Sequence, residues 1–121
     1  MAEMTYSDAL NIAIKEEMRR DEKVFIMGES IRGGIYGVTG GLSQEFDDRV
    51  IDTPLSENGF MGAAGGAAAV GMRPIVQSLA SFAWVAMDQL ISQAAKMRYM
   101  FGGQVNLPIV YRWGMIYGNN V

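Results

Sequence analysis

Apolar residues along this chain alternate between helical spacing and short unbroken runs. Tyr6, Ala9, Leu10, Ala13, Ile14 and Met18 recur at three- and four-residue intervals, which predicts an amphipathic helix. Thr5 precedes them with Asp8 three residues on, the pattern of a capping box. Glu16, Glu17, Arg19 and Arg20 lie off the apolar face, and Glu16 is spaced to pair with Arg20 one turn later. Asp21-Glu22-Lys23 then leads into Val24-Phe25-Ile26-Met27. That run lacks alternation and predicts a strand buried on both faces, the usual condition of a parallel sheet. It ends at Gly28-Glu29.

Ile31 to Gly41 carries five glycines and predicts a mobile loop. It contains no G-K-[ST], and no two glycines in the chain stand two apart, so neither phosphate-binding fingerprint is present. A short helix is expected over 41–46, closed by Asp47-Asp48, and a short buried strand over Arg49-Val50-Ile51. Thr53-Pro54 keeps the backbone extended and then turns it. Ser56-Glu57-Asn58-Gly59 opens a helix that continues through the Ala, Gly and Met residues of 60–70, with Gly71 as its C-terminal cap. Glycine costs stability inside a helix, so Gly62, Gly65 and Gly66 suggest close approach to another helix or subunit. Residues 73–79 form the next strand, with Pro74 near its start where a missing donor does least harm. A long helix over 82–99, apolar on most of its surface, is stopped by Gly102-Gly103, and Leu107 to Arg112 is the last strand. The alternation of helices and strands argues for a three-layer α/β sandwich with a mainly parallel sheet.

Composition narrows the chemistry. Hydrophobic residues make up 50% and charged residues 19%, which is globular. A net charge of −3 with no basic run argues against nucleic-acid binding. With no cysteine and no histidine, the chain offers no disulfide, thiolate site or histidine base. No signal peptide or membrane span is visible, so a cytoplasmic, non-membrane protein is expected.

One stretch stands out. Asp52-Thr53-Pro54-Leu55-Ser56-Glu57-Asn58-Gly59-Phe60 sets Glu57 after a strand and at the start of a helix. In an open α/β sheet that is where ligands bind. An acid in a first helical turn is also accounted for by the helix dipole alone. Glu29, at the end of the first strand, is a second candidate, with a solvated strand-end acid as its alternative.

The stretch resembles the signature of thiamine-diphosphate-dependent 2-oxo acid dehydrogenases. The chain is similar throughout to the E1 component, beta subunit, in its transketolase-like pyrimidine-binding domain. Met100-Phe101-Gly102-Gly103-Gln104 leans towards the acetoin dehydrogenase branch. The resemblance implies that Glu57 hydrogen-bonds the aminopyrimidine ring nitrogen of thiamine diphosphate and so activates it for decarboxylation. Sharing that proton requires shielding from water, and Leu55, Phe60 and the small-residue helix are the groups expected to provide it. By the same resemblance Glu29 lies near the cofactor, Leu55 contacts the ring, and Leu79 and Phe82 flank it. For Phe82 a plain core role is the alternative. Ile109 falls where the family begins a potassium loop.

The implied cofactors are thiamine diphosphate with magnesium, the diphosphate and metal held mainly by an E1 alpha subunit, and potassium. The implied partners are that alpha subunit, a second beta subunit and a lipoyl-E2 acyltransferase. The sequence departs from the family in two places. The segment 77–82 is one residue shorter than the usual pattern, and Trp113-Gly114-Met115 replaces a proline-containing, glycine-rich segment. Residues 1–121 are expected to form the N-terminal pyrimidine-binding domain, incomplete and without the family's C-terminal domain. Two other readings stay open: a non-catalytic interaction module of the same fold, and a piece of a transketolase or deoxyxylulose-phosphate synthase.

Overall fold

The computed structural model describes residues 3–35 and 37–115; Tyr36 of the glycine-rich segment lies outside them. Four strands, β1 (Val24–Gly28), β2 (Val50–Asp52), β3 (Arg73–Leu79) and β4 (Val110–Gly114), form one sheet in the order β2-β1-β3-β4. Every pairing is parallel. The helices are α1 (Tyr6–Arg20), α2 (Leu42–Phe46), α3 (Glu57–Ala69) and α4 (Ala95–Met100).

Alternate residues of the strands feed two cores, one on each face of the sheet. Val24, Ile26, Val50 and Ile75 pack with Ile14 and Met18 of α1 and Leu42 and Phe46 of α2. Phe25, Met27 and Val76 pack with Phe60, Met61 and Ala64 of α3 and with Ala86. This division is why β1 reads as an unbroken apolar run: both its faces are covered. The sheet sandwiched between helices is the expected three-layer architecture.

The ends of the elements follow local chemistry. Thr5 Oγ1 accepts from the Asp8 backbone N–H at 3.1 Å, as the capping box predicts. The α3 helix closes with Gly71 at φ +96°, a left-handed position natural to glycine, and the Met72 N–H reaches the Ala67 carbonyl at 3.0 Å. Arg49 precedes β2 rather than joining it. Its Nη1 donates to the carbonyls of Met18, Asp21 and Val24 at 2.8–3.2 Å, and its guanidinium lies 5.1 Å from the Phe46 ring. One side chain thus ties α1, β1 and α2 together.

Several expectations are corrected. Within α1 only Ile14 and Met18 are buried, while Tyr6, Ala9 and Ala13 face solvent. Arg20 pairs with Glu17 rather than Glu16, and Arg19 reaches across to Glu45. The β2 strand is an edge strand with only Val50 buried. The glycine segment is folded rather than loose. Ile31, Val38 and Thr39 are buried in it, successive turns close it, and Asn11 Nδ2 donates to the Val38 and Gly40 carbonyls at 2.6 and 2.9 Å. Pro74 sits in an interior strand. The Arg73 N–H donates to Lys23 on the β1 side, so the next nitrogen faces β4, whose pairing begins only at Ile75. The missing donor therefore costs no bond.

The single long helix over 82–99 resolves into a 3-10 stretch (Ala80–Ala86), a π stretch (Asp88–Ala94) and α4. Tight winding followed by wide winding averages to a helical period, which is why the apolar spacing suggested one α-helix. Its apolar flank is also open: Trp84 is 80% and Tyr99 90% exposed. The last strand starts at Val110, so Ile109 stands just ahead of it. Trp113 is half-buried and packs with Ile109 against the α3-side core. Among the described residues no helix is long and apolar enough to cross a membrane.

Candidate functional site

Because all strands run the same way, their carboxyl ends line one edge of the sheet. This edge collects Gly28-Glu29 after β1, Asp52 to Glu57 after β2, and Leu79 to Phe82 after β3. The Thr53 N–H donates to the Gly28 carbonyl at 3.0 Å, and the Arg32 N–H donates to Asp52 Oδ1 at 2.9 Å. The first bond holds the start of the Thr53-Pro54 turn against β1, and the turn delivers the chain to α3. Glu57 is the first residue of that helix and is half-buried.

Gly28 explains how β1 lies so close to β3 here. A Cβ at this position would stand 2.2 Å from the Gln77 carbonyl oxygen. Beyond it Ser30 adopts φ +53°, an uncommon conformation for a residue with a side chain. Between these two backbone features sits Glu29, 8% exposed, with no hydrogen-bond partner for its Oε1 among the described residues. Burial pushes the Glu29 carboxyl above the usual carboxylate range, and the negative charge of Glu57 pushes it the same way. The alternative of a solvated strand-end acid is thus excluded for Glu29. The edge brings two carboxyl groups within electrostatic reach of each other, one buried and one half-buried.

The other candidate residues separate. Leu79 ends β3 and Phe82 follows in the 3-10 stretch, both half-buried near the carboxyl edge. Leu55 is 86% exposed, so within this chain it does not shield Glu57 as expected. Phe60 is buried, but it serves the α3-side core. Ile109 lies at the amino edge of the sheet, the opposite end from Glu57. There it lines a cavity of about 320 Å³ with Val24, Pro74, Ile75 and Val110. No cluster of three or more metal-ligating side chains occurs among the described residues.

Two residues went unremarked in the sequence. Gln77 is 1% exposed in an interior strand, and the Arg112 Nη1 donates to its Oε1. The signal was a polar residue late in a buried strand, where polarity is unneeded for the strand itself.

A parallel α/β domain with acids gathered at its carboxyl edge is a ligand-binding class of fold. The chain belongs to the transketolase pyrimidine-binding domain family, whose description, "Transketolase, pyrimidine binding domain", matches residues 2–121. It is 53% identical over 116 residues to a pyruvate dehydrogenase E1 component subunit beta of Rhizobium meliloti (strain 1021), covering 93% of this chain and 25% of that protein. It is 47% identical to a 2-oxoisovalerate dehydrogenase subunit beta of Bacillus subtilis (strain 168), covering 93% of this chain and 36% of the relative. The identity is 46% to the subunit beta of an acetoin:2,6-dichlorophenolindophenol oxidoreductase of the same organism, covering 90% and 36%. The chain thus spans about a quarter to a third of the length of these relatives.

Proposed function

We propose that this domain supplies the pyrimidine half of a thiamine diphosphate site in the beta subunit of a 2-oxo acid or acetoin dehydrogenase E1. The observation that carries the reading is the pair Glu29 and Glu57 at the carboxyl edge. Glu29 Oε1 is buried and unpartnered, a state that costs free energy until a ligand or water supplies the missing bond. An aminopyrimidine carries donors and acceptors on one edge and suits such a group. When bound, the cofactor supplies the electron sink for decarboxylation.

The roles of the chain's own residues follow from their placement. Glu57 would hold and deliver a proton at its carboxyl oxygen, as a general acid towards a bound pyrimidine ring nitrogen. Glu29, kept towards its protonated form by burial, limits the negative charge beside Glu57. Leu79 and Phe82 border the ring, and Leu55, exposed in this chain, contributes contact and shielding once a partner covers it. Magnesium and the diphosphate are held mainly by an alpha subunit. Ile109 begins a potassium loop remote from the acids. The exposed side of α3, centred on Gly66, packs against a second beta subunit, and the acyl group passes to a lipoyl-E2 partner.

The test is the exchange rate of the proton on the reactive carbon of thiamine diphosphate, measured by NMR quench in the E1 heteromer. With Glu57→Gln, exchange and turnover should fall by at least about a hundredfold, the size of a general-acid contribution, with folding intact. Near-normal exchange would remove Glu57 from the role and favour a non-catalytic module.

A further inference from the structure

The β2 strand is three residues long, lies at the edge of the sheet and pairs with β1 alone. So short a ladder holds an edge strand weakly, yet the chain reaches Glu57 only five residues after Asp52. Arg32 engages β2 at both ends. Its backbone N–H donates to Asp52 Oδ1 at 2.9 Å, at the end of the strand. Its Nη1 donates to the Val50 carbonyl at the start of the strand and to the Asp47 carbonyl ahead of it, both at 2.9 Å. Nη2 reaches the Asp47 carboxylate. The Thr53 N–H faces Gly28 of β1, so by alternation the Val50 carbonyl faces away from β1. Arg32 therefore takes a backbone acceptor that the sheet itself leaves unused.

The segment that carries Arg32 also carries Glu29, three residues earlier, and is rooted in the core by Ile31, which is fully buried. Ser43 Oγ donates to the Arg32 carbonyl at 2.9 Å and holds the same segment from the α2 side. The ion pair with Asp47 is open to solvent and contributes little by itself. The bonds to two carbonyls and to Asp52 set the geometry. We infer that Arg32 is a positioning residue: by clasping β2 to the segment after β1, it fixes the spacing of Glu29 and Glu57. The catalytic use of that spacing rests on the thiamine reading; the clasp does not. Glu57 is the charge that acts on Glu29, whereas the Arg32 guanidinium is matched to Asp47, Asp52 and Asp48. The size of the effect of Glu57 on Glu29 therefore reports how closely the two acids are held.

Two measurements on the 121-residue chain test the clasp without any cofactor. The first is amide hydrogen exchange. Arg32→Ala should speed exchange of the Thr53 N–H, which bonds Gly28, roughly tenfold more than that of Ile75 in the interior strand β3. The second is a carbon NMR titration of the Glu29 carboxyl. In the parent chain Glu57→Gln should move that titration to lower pH, because a neighbouring negative charge is gone. In the Arg32→Ala background the displacement should fall to about half or less, as the acids lose their fixed spacing. Arg32→Lys keeps the charge but not the two-armed guanidinium, and should behave as Arg32→Ala does. Equal acceleration of Thr53 and Ile75, an undiminished displacement of the Glu29 titration, or parent behaviour in Arg32→Lys would each overturn the proposal. Failure of the thiamine reading shows elsewhere, in the cofactor-carbon exchange of the heteromer, and leaves these results unchanged.

Discussion

At the scale of single residues, Glu29 is the group whose chemistry departs most from its sequence reading. Its burial is set by the backbone turn at Gly28 and Ser30, neither of which marks a neighbouring acid as buried or exposed. Folding raises its proton affinity. The protonated form is therefore favoured in the folded state, and that stabilisation is complete below the ordinary carboxylate range. It is lost as pH rises through the raised value. Glu29→Gln should consequently raise the melting temperature by roughly 2–5 °C at neutral pH. The difference should shrink below about pH 4, where the native carboxyl is also protonated. Thermal melts of both proteins from pH 4 to 8 check the sign. A gain of stability there, with a loss of turnover in the assembled enzyme, is the usual exchange at a functional site.

At the scale of elements, what was legible and what was not divide by cause. The β1 and β3 strands, the caps of α1 and α3 and the parallel order were readable because each rests on local sequence: unbroken apolar runs, Thr5 with Asp8, Gly71 after a helix. The outward face of α1 was not, because its apolar spacing does not say which residues meet the core: only Ile14 and Met18 are buried, with Leu10 packed beside them. Winding in 80–100 was hidden since periodicity reports only an average. Glu57 was singled out through its motif, whereas the pairing of Gln77 with Arg112 needed the register of β3 and β4.

Two substitutions test this level. Gly28→Ala should destabilise the chain by about 2–4 kcal/mol, since a Cβ 2.2 Å from the Gln77 carbonyl forces β1 from β3; urea titration measures it. Gly62 and Gly66 should differ. A Cβ on Gly62 would meet Gln89 Oε1 at 2.8 Å, within the chain, while Gly66 is exposed and has nothing within 4 Å. Gly66→Leu should thus stabilise the isolated chain by up to about 1 kcal/mol through its better helix propensity yet weaken self-association in sedimentation. Unchanged assembly would show that α3 is not the intersubunit surface.

At the scale of the whole molecule, the domain presents its acids at one sheet edge but leaves the surroundings open. Leu55, Trp84 and Tyr99 are 80–90% exposed, too large an apolar display to be a finished surface. The central claim is that this chain is one half of a cofactor site. Most of the charge of thiamine diphosphate lies on its diphosphate, which needs a bound metal, and no cluster of metal-ligating side chains stands among the described residues. The glycine segment, packed on its own buried residues, has no lysine to hold a phosphate. Calorimetric titration of the purified 121-residue chain with thiamine diphosphate and magnesium tests the claim most directly. The account predicts no micromolar binding and no decarboxylation until an alpha subunit is added. Micromolar binding by the chain alone would contradict it.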